Sequence, residues 1–255
     1  MVPERSGVLI TGSTGIAAAA ARRLAGQGQR VFIVGRDEAS CADLTTTLGP
    51  AGAGYAAADL RIEGEAEEAF TKAHHRLGAI TGVIAVAGGS ARGQGDGWLH
   101  EMSLASWQAS LELNLTTTFL TVREAIRRMR ADGGGSVVLT SSVLAGSPQP
   151  QNFTTHGYAA AKAAISGWVA PLAAAYAGDG IRINAVAPGL VRTPMSRRAA
   201  SSPEILAFTR RKQPLTGGML DPEEVATVMC SVLEARGVTG QVIAVDGGWS
   251  VTSTS

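Results

Sequence analysis

The feature that most constrains this chain is a rhythm. Short runs rich in valine and isoleucine, Val8–Ile10, Val31–Val34, Val83–Val86, Val137–Leu139, Ile181–Val186 and Val242–Val245, recur between longer segments of helical period. Apolar runs of this length, without polar alternation, suit strands buried on both faces, as in parallel sheets covered by helices. A further run around Gly54–Ala58 fits the same spacing. The intervening segments Ile16–Gln27, Asp37–Leu48, Glu63–Leu77, Ser103–Met129, Tyr158–Ala177 and Pro222–Glu234 read as amphipathic helices. Alternation of this kind needs right-handed helical crossovers, so it predicts an α/β fold with one doubly wound parallel sheet of about seven strands.

No Ser/Pro-rich linker, composition break or internal repeat divides the 255 residues, so one domain spans residues 1–255. Aromatics are only 5% and glycine reaches 32, which predicts a core of small aliphatic side chains with close backbone approaches. Lys plus Arg is 22 against 21 for Asp plus Glu, and a net charge of +1 gives no basic field for nucleic acid or anionic lipid. The longest Ala-rich stretch, Tyr158–Ala177, carries Lys162 and Pro171 and does not read as a membrane span. The first residues, Met1–Ser6, lack the basic-then-apolar plan of a signal peptide. Cys41 and Cys230 lie far apart without metal-ligand spacing, so no metal is expected and the compartment is read as reducing and cytoplasmic.

The first strand runs into Thr11-Gly12-Ser13-Thr14-Gly15-Ile16, which places two glycines in the first strand-to-helix turn. Backbone amides and a helix N-terminus there can face a pyrophosphate, the signature of a dinucleotide site of Rossmann type. After the second strand comes Gly35-Arg36-Asp37. At this point an acid serves the ribose 2′-OH of one nicotinamide cofactor and an Arg the 2′-phosphate of the other. Both residue types are present, and Asp37 also fits the N-cap of the next helix.

Tyr158 and Lys162 stand four apart on a predicted helix and share a face, where both can act on one substrate atom. A phenol of pKa about 10 is a poor proton shuttle at neutral pH, but a neighbouring ammonium and an oxidised nicotinamide favour the phenolate. Upstream, Val137–Leu139 leads into Thr140-Ser141-Ser142, a strand ending in hydroxyls. Asn114 sits among apolar neighbours on the long Ser103–Met129 helix, where an amide calls for local satisfaction or a kink.

From the glycine turn to Trp249 the chain resembles the short-chain dehydrogenase/reductase family. Thr11, Gly12 and Gly15 match its turn, although the usual single-domain members have one more residue between these glycines and a third near Ala17 or Ala18. The resemblance implies that Ser13, Thr14 and Ile16 complete the phosphate turn and that Asp59 and Leu60 meet the adenine. Arg36 then matches the phosphate reader of the NADP-dependent members, because the discriminating acid falls on Gly35; NADP(H) is expected in preference to NAD(H). Ala87 and Gly88 match the family's Asn-Asn-Ala-Gly segment, with Val86 replacing the second asparagine that ties neighbouring strands. Pro188, Gly189, Val191 and Thr193 match the segment that holds the nicotinamide carboxamide, and Tyr158 and Lys162 also meet the cofactor.

By the same resemblance, Tyr158 is the general acid/base, Ser142 rather than Ser141 holds the carbonyl oxygen, Lys162 assists Tyr158, and Asn114 holds a water linked to the lysine. The implied activity is hydride transfer between nicotinamide and a small-molecule carbonyl or secondary alcohol. A lid over the substrate is expected at residues 195–214, and a homotetramer or homodimer through the long helices. A 3-oxoacyl-[acyl-carrier-protein] reductase would use the same site, with Arg197, Arg198, Arg210, Arg211 and Lys212 as a patch for an acidic carrier. A non-catalytic NADPH sensor is the alternative of another class.

Overall fold

The computed structural model describes residues 6–253; the amino-terminal reading of residues 1–5 falls outside them. Seven strands, β1 (Gly7–Thr11), β2 (Val31–Gly35), β3 (Gly52–Ala57), β4 (Ile80–Ala85), β5 (Gly135–Thr140), β6 (Ile181–Pro188) and β7 (Val242–Val245), form one sheet in the order β3-β2-β1-β4-β5-β6-β7. Every pairing is parallel. The helices are α1 (Gly15–Gly26), α2 (Glu38–Thr47), α3 (Glu63–Leu77), α4 (Leu104–Leu111), α5 (Thr117–Asp132), α6 (His156–Tyr176), α7 (Arg197–Ala200), α8 (Pro203–Lys212) and α9 (Pro222–Glu234).

Two apolar layers explain the uninterrupted valines and isoleucines. On one face β1, β2 and β4 pack against α1, α2 and α9 through Val8, Ile10, Ile33, Ile84, Leu24 and Met229. On the other, the same strands and β5 and β6 pack against α3, α5 and α6 through Leu9, Phe32, Val83, Phe70, Met129 and Ile165. Successive side chains of a strand therefore enter different layers and all are buried, as β1 and β2 are at every position.

One expectation is corrected. The helix predicted over Ser103–Met129 is broken: α4 and α5 are joined by a π turn at Glu112–Thr116. The cause is Asn114, fully buried at the centre of that turn. Its Oδ1 accepts from the Gly89 amide (3.1 Å), and its Nδ2 donates to the Gly89 and Ser110 carbonyls (3.0 and 3.1 Å). A widened turn admits the amide without leaving its polar atoms unpaired.

The chain leaves β1 toward β2 and β3, then returns to β4 on the other side. The loops after β1 and β4 consequently diverge and open a crevice at the carboxyl ends of the strands.

Candidate active site

The crevice has two ends. At one, a pocket of about 390 Å³ is lined by Ser13, Arg36, Asp59, Leu60, Arg61 and neighbours; at the other, a cavity of about 470 Å³ reaches Ser142, Tyr158 and Lys162. Gly12, Thr14, Ala87 and Gly88 line both, so the two ends meet over the glycine turn.

That turn is shaped for a ligand with phosphates. Gly12 and Gly15 have φ of +99° and +55°, and a Cβ on Gly15 would stand 2.9 Å from Thr193 Cγ2. Thr14 caps α1 without a side-chain hydrogen bond, no acid lies in the first helical turn, and Gly15, Ile16 and Ala17 line the cavity. Unfilled helix amides and the positive end of the helix dipole are left facing it, which fits a pyrophosphate. Thr11 lies elsewhere: it is buried beneath the turn, and its Oγ1 accepts from the Val86 and Ala87 amides at 3.1 and 3.0 Å.

Along the outer pocket the two candidates after β2 separate. The Asp37 carboxylate accepts from the Ser40 amide at 2.7 Å as the α2 N-cap, whereas Arg36 is exposed along the pocket wall. A side chain on Gly35 would place its Cβ 2.9 Å from the buried Cys41 Sγ. Asp59 lines the pocket, but its carboxylate is gripped by Arg61, whose Nε donates to both oxygens at 2.9 and 3.0 Å. That guanidinium holds Asp59 below the ordinary carboxylate range, and Arg36 adds to the effect. Arg61 carries no sequence motif that would have singled it out.

At the inner end, β5 delivers Ser142 and α6 delivers Tyr158 and Lys162. The Ser142 hydroxyl accepts from the Leu144 amide at 3.2 Å and meets the Tyr158 phenol on its cavity side. Ser141 is turned to α6 instead, where its Oγ donates to the Lys162 carbonyl at 3.0 Å and meets Ser166 Oγ at 2.6 Å. Lys162 is 3% exposed, and its Nζ donates to the Thr140 carbonyl at 2.8 Å. Burial pulls the ammonium down to about 8.

Burial raises the Tyr158 phenol above its usual value, and only the Ser142 hydroxyl opposes it. Lys162 Nζ, drawn toward Thr140, stays 5.6 Å from the centre of the tyrosine ring.

Asp96 was missed by the sequence reading. It is 4% exposed on the loop after β4, and its carboxylate accepts from the Gly157 and Tyr158 amides at 2.9 Å each, capping the helix that carries the tyrosine. A carboxylate at a helix N-terminus gains from both hydrogen bonds and the dipole, so Asp96 fixes where Tyr158 begins. Its setting, Gly93-Gln94-Gly95-Asp96-Gly97, reads only as a turn. Asn114 supports the same region from below, because a Cβ on Gly88 would lie 2.8 Å from its Oδ1. The Asn114 carbonyl accepts from Thr118 Oγ1 at 2.7 Å and from a backbone amide at the end of the π turn, so it is itself held in place.

The sequence profile described as enoyl-(acyl carrier protein) reductase matches residues 10–250. A cis-4-hydroxycyclohexanecarboxylate dehydrogenase from Sinomonas cyclohexanicum is 33% identical over 251 residues, covering 97% of each chain. The chain belongs to the short-chain dehydrogenase/reductase family. Among solved structures, a short-chain type dehydrogenase/reductase from Mycobacterium ulcerans superposes with a TM-score of 0.89 at 29% identity, covering 97% of this chain and 90% of that one. A point variant of actinorhodin polyketide ketoreductase with NADPH gives 0.86 at 28% identity, covering 96% and 98%. This short-chain dehydrogenase/reductase is accordingly an oxidoreductase acting between CH–OH and C=O groups, in a family that binds a nicotinamide cofactor.

Two departures from the family pattern find their answer in the geometry. With the glycine turn one residue short, Ala17 takes the place next to Gly12, whose Cβ position lies 3.1 Å from the alanine methyl. Where Val86 replaces the strand-tying asparagine, Thr11 bonds the start of the loop after β4, and Thr140 Oγ1 donates to the Ala85 carbonyl at 2.7 Å. Of the basic cluster considered for an acyl carrier, Arg197, Arg198, Arg210 and Arg211 are exposed and Lys212 is not. Lys212 is buried under Trp249 with its Nζ on the Thr252 carbonyl (2.5 Å), and Arg198 lines the cavity. No described helix is long and apolar enough to cross a membrane, and the described residues hold no metal-binding cluster.

Proposed function

We propose that the chain is an NADP(H)-dependent reductase of a small-molecule carbonyl, or the dehydrogenase of the matching secondary alcohol, with Tyr158 as general acid/base. The observation that carries this is the convergence of Tyr158, Ser142 and Lys162 on one cavity beside the glycine turn. When bound, the nicotinamide supplies or accepts the hydride. Tyr158 donates its proton to the carbonyl oxygen as negative charge develops there, and Ser142 donates a second hydrogen bond to that oxygen. Lys162, held by Thr140, keeps a positive charge behind the phenol and stabilises the phenolate left after the proton has gone.

Gly12 to Ile16 take the pyrophosphate, and Leu60 with Asp59 borders the adenine. Ala87, Gly88, Pro188 and Gly189 form the floor, while the Val191 backbone and Thr193 hold the carboxamide end. The NADP(H) preference rests on Arg36, which stands open beside the pocket while Asp37 is committed to its helix cap. Asn114 acts as a positioning residue for Gly88 and Gly89.

Residues 195–214 form the lid over the single domain. Met195, Ser196, Arg198 and Ala199 face the cavity, while Phe208 at the far end packs with Phe153 and Trp249. The homodimer or homotetramer contact is assigned to α5 and α6, where Phe119 stacks on Trp168 at 6.1 Å in the open. Sedimentation as a monomer would refute it. Free, buried Cys41 and Cys230 support a reducing, cytoplasmic setting.

The test follows the absorbance of NADPH and NADH at equal concentration against ketones, diketones and 3-oxoacyl thioesters, with Tyr158→Phe alongside. Oxidation of NADPH that disappears in the variant is expected. Nucleotide binding without turnover of any carbonyl would favour the sensor.

A further inference from the structure

The cavity carries an unbalanced charge. Arg92, Lys162 and Arg198 line it, and no acidic residue does. Lys162 is already committed to the Thr140 carbonyl. The two arginines come from separate elements, Arg92 from the short turn Arg92–Gln94 after β4 and Arg198 from α7. They are near enough to repel: burial pulls the Arg92 guanidinium down and the charge of Arg198 pulls it further, with Asp96 opposing. Asp96 does not complete Arg92, because its oxygens serve the amides of Gly157 and Tyr158. The half-buried Arg92 guanidinium has no hydrogen-bond or ion-pair partner among the described residues. Arg198 gives one bond to the Asn152 carbonyl (3.0 Å), which leaves donors unused, and the adjacent Arg197 turns away to the Pro194 carbonyl. The half-buried Arg92 guanidinium, without a partner and repelled by Arg198, is stabilised when an anion joins the two.

We propose that Arg92 and Arg198 form a clamp for an oxyanion on the substrate itself, making the preferred substrate an oxo acid or hydroxy acid whose acidic group lies away from the reacting carbon. The assignment rests on the oxidoreductase reading above and names its substrate class. Both arginines belong to the Tyr158 end of the crevice. Asp96, beside Arg92, caps the tyrosine helix, and Asn152, under Arg198, lies in the stretch leading into it. The phosphate turn has its own donors in α1 and does not need them. Val143, Leu144, Phe153 and Met195 line the same cavity and fit an apolar body between the acid and the carbonyl. A planar fork is the geometry that recognises paired oxygens, and a carboxylate presents them.

A phosphodiester on a carrier-bound thioester offers similar oxygens, so the test includes both sources. Acyclic and cyclohexanone-based keto acids are each paired with their methyl esters, and acetoacetyl-phosphopantetheine is paired with acetoacetyl-pantetheine. The wild type is expected to favour the acidic member by about tenfold to a hundredfold in KM, the range of a charge-assisted pair. That preference falls toward unity in Arg92→Gln and in Arg198→Gln. Arg198 is exposed and outside the fold's core, so its variant answers even where Arg92→Gln disturbs Asp96.

In parallel, calorimetry of cyclohexanecarboxylate against its methyl ester, with nucleotide present, reads the clamp without turnover, in wild type and in Tyr158→Phe. Carboxylate binding retained in Tyr158→Phe and lost in Arg198→Gln supports the clamp whatever the reaction proves to be. Equal KM for acid and ester, equal binding of both, or an Arg198→Gln defect confined to nucleotide affinity overturns it. Loss of Tyr158-dependent turnover alone would strike the oxidoreductase reading and leave the clamp standing.

Discussion

The two ends of the crevice are built on opposite principles. Around the catalytic candidates of the inner end, three buried polar groups are fixed by specific partners: Lys162 by Thr140, Ser141 by α6, Asp96 by the first amides of that helix. At the outer end, Arg36 stands in solvent and Asp37 merely starts a helix. Buried polar networks lose much when one member is removed, whereas exposed charges lose little. The inner end is therefore where chemistry is specified, and the outer end is where a choice between similar ligands is made at low energetic stakes.

The sharpest way to break this contrast is Tyr158→Phe, which should lower kcat by about 10²- to 10⁴-fold. A melting temperature equal to the parent's would show that the loss is chemical. Lys162→Met probes the same end through pH. Its folded pKa of about 8 lies below the ordinary lysine value of 10.5, so between these values the unfolded chain binds a proton that the folded chain does not. Stability thus rises with pH across that window and is lowest below it, by about 3 kcal/mol from this group. Cys230, raised to about 11, opposes the rise above the ordinary thiol value of 9.0, so the slope is cleanest between pH 8 and 9. Thermal unfolding of the parent should show that slope in this interval and Lys162→Met should lack it; parallel curves would refute it.

Asn114→Ala comes next. Leaving the Gly89 amide and carbonyl without their partner should cost about 2 to 3 kcal/mol in chemical denaturation, together with weaker nucleotide binding. At the outer end, Arg36→Leu should lower the preference for NADPH over NADH by about tenfold, equivalent to about 1.4 kcal/mol, read from the ratio of KM values. Smallest is Asp37→Ala, a lost helix cap worth about 1 kcal/mol in the same denaturation experiment. An Asp37→Ala effect larger than that of Asn114→Ala would reverse the contrast.

The alternation of apolar runs carried the fold because each strand had to be buried on both faces, and that condition writes itself into consecutive residues. Tyr158 and Lys162 were legible for a similar reason, since a helical face is encoded by local spacing. What stayed hidden depends on distance along the chain. Asp96 caps a helix whose second residue, Gly157, lies sixty-one residues later, and Asn114 grips a glycine on another element. The burial that raises the Tyr158 phenol likewise has no signature in spacing.

The crowding of Gly35 against Cys41 has an evolutionary consequence. An acid at the end of β2 would bring its first carbon to 2.9 Å from the sulfur of a buried cysteine, so one of the two must shift. A lineage derived from this chain that first trims the thiol, for example to alanine, makes room for the acid at the expense of a small void in the core. Order matters on that route: in one sequence of changes the intermediate folds, and in the other it is strained. A side chain that lines neither pocket thus governs how readily an acid can enter at the end of β2.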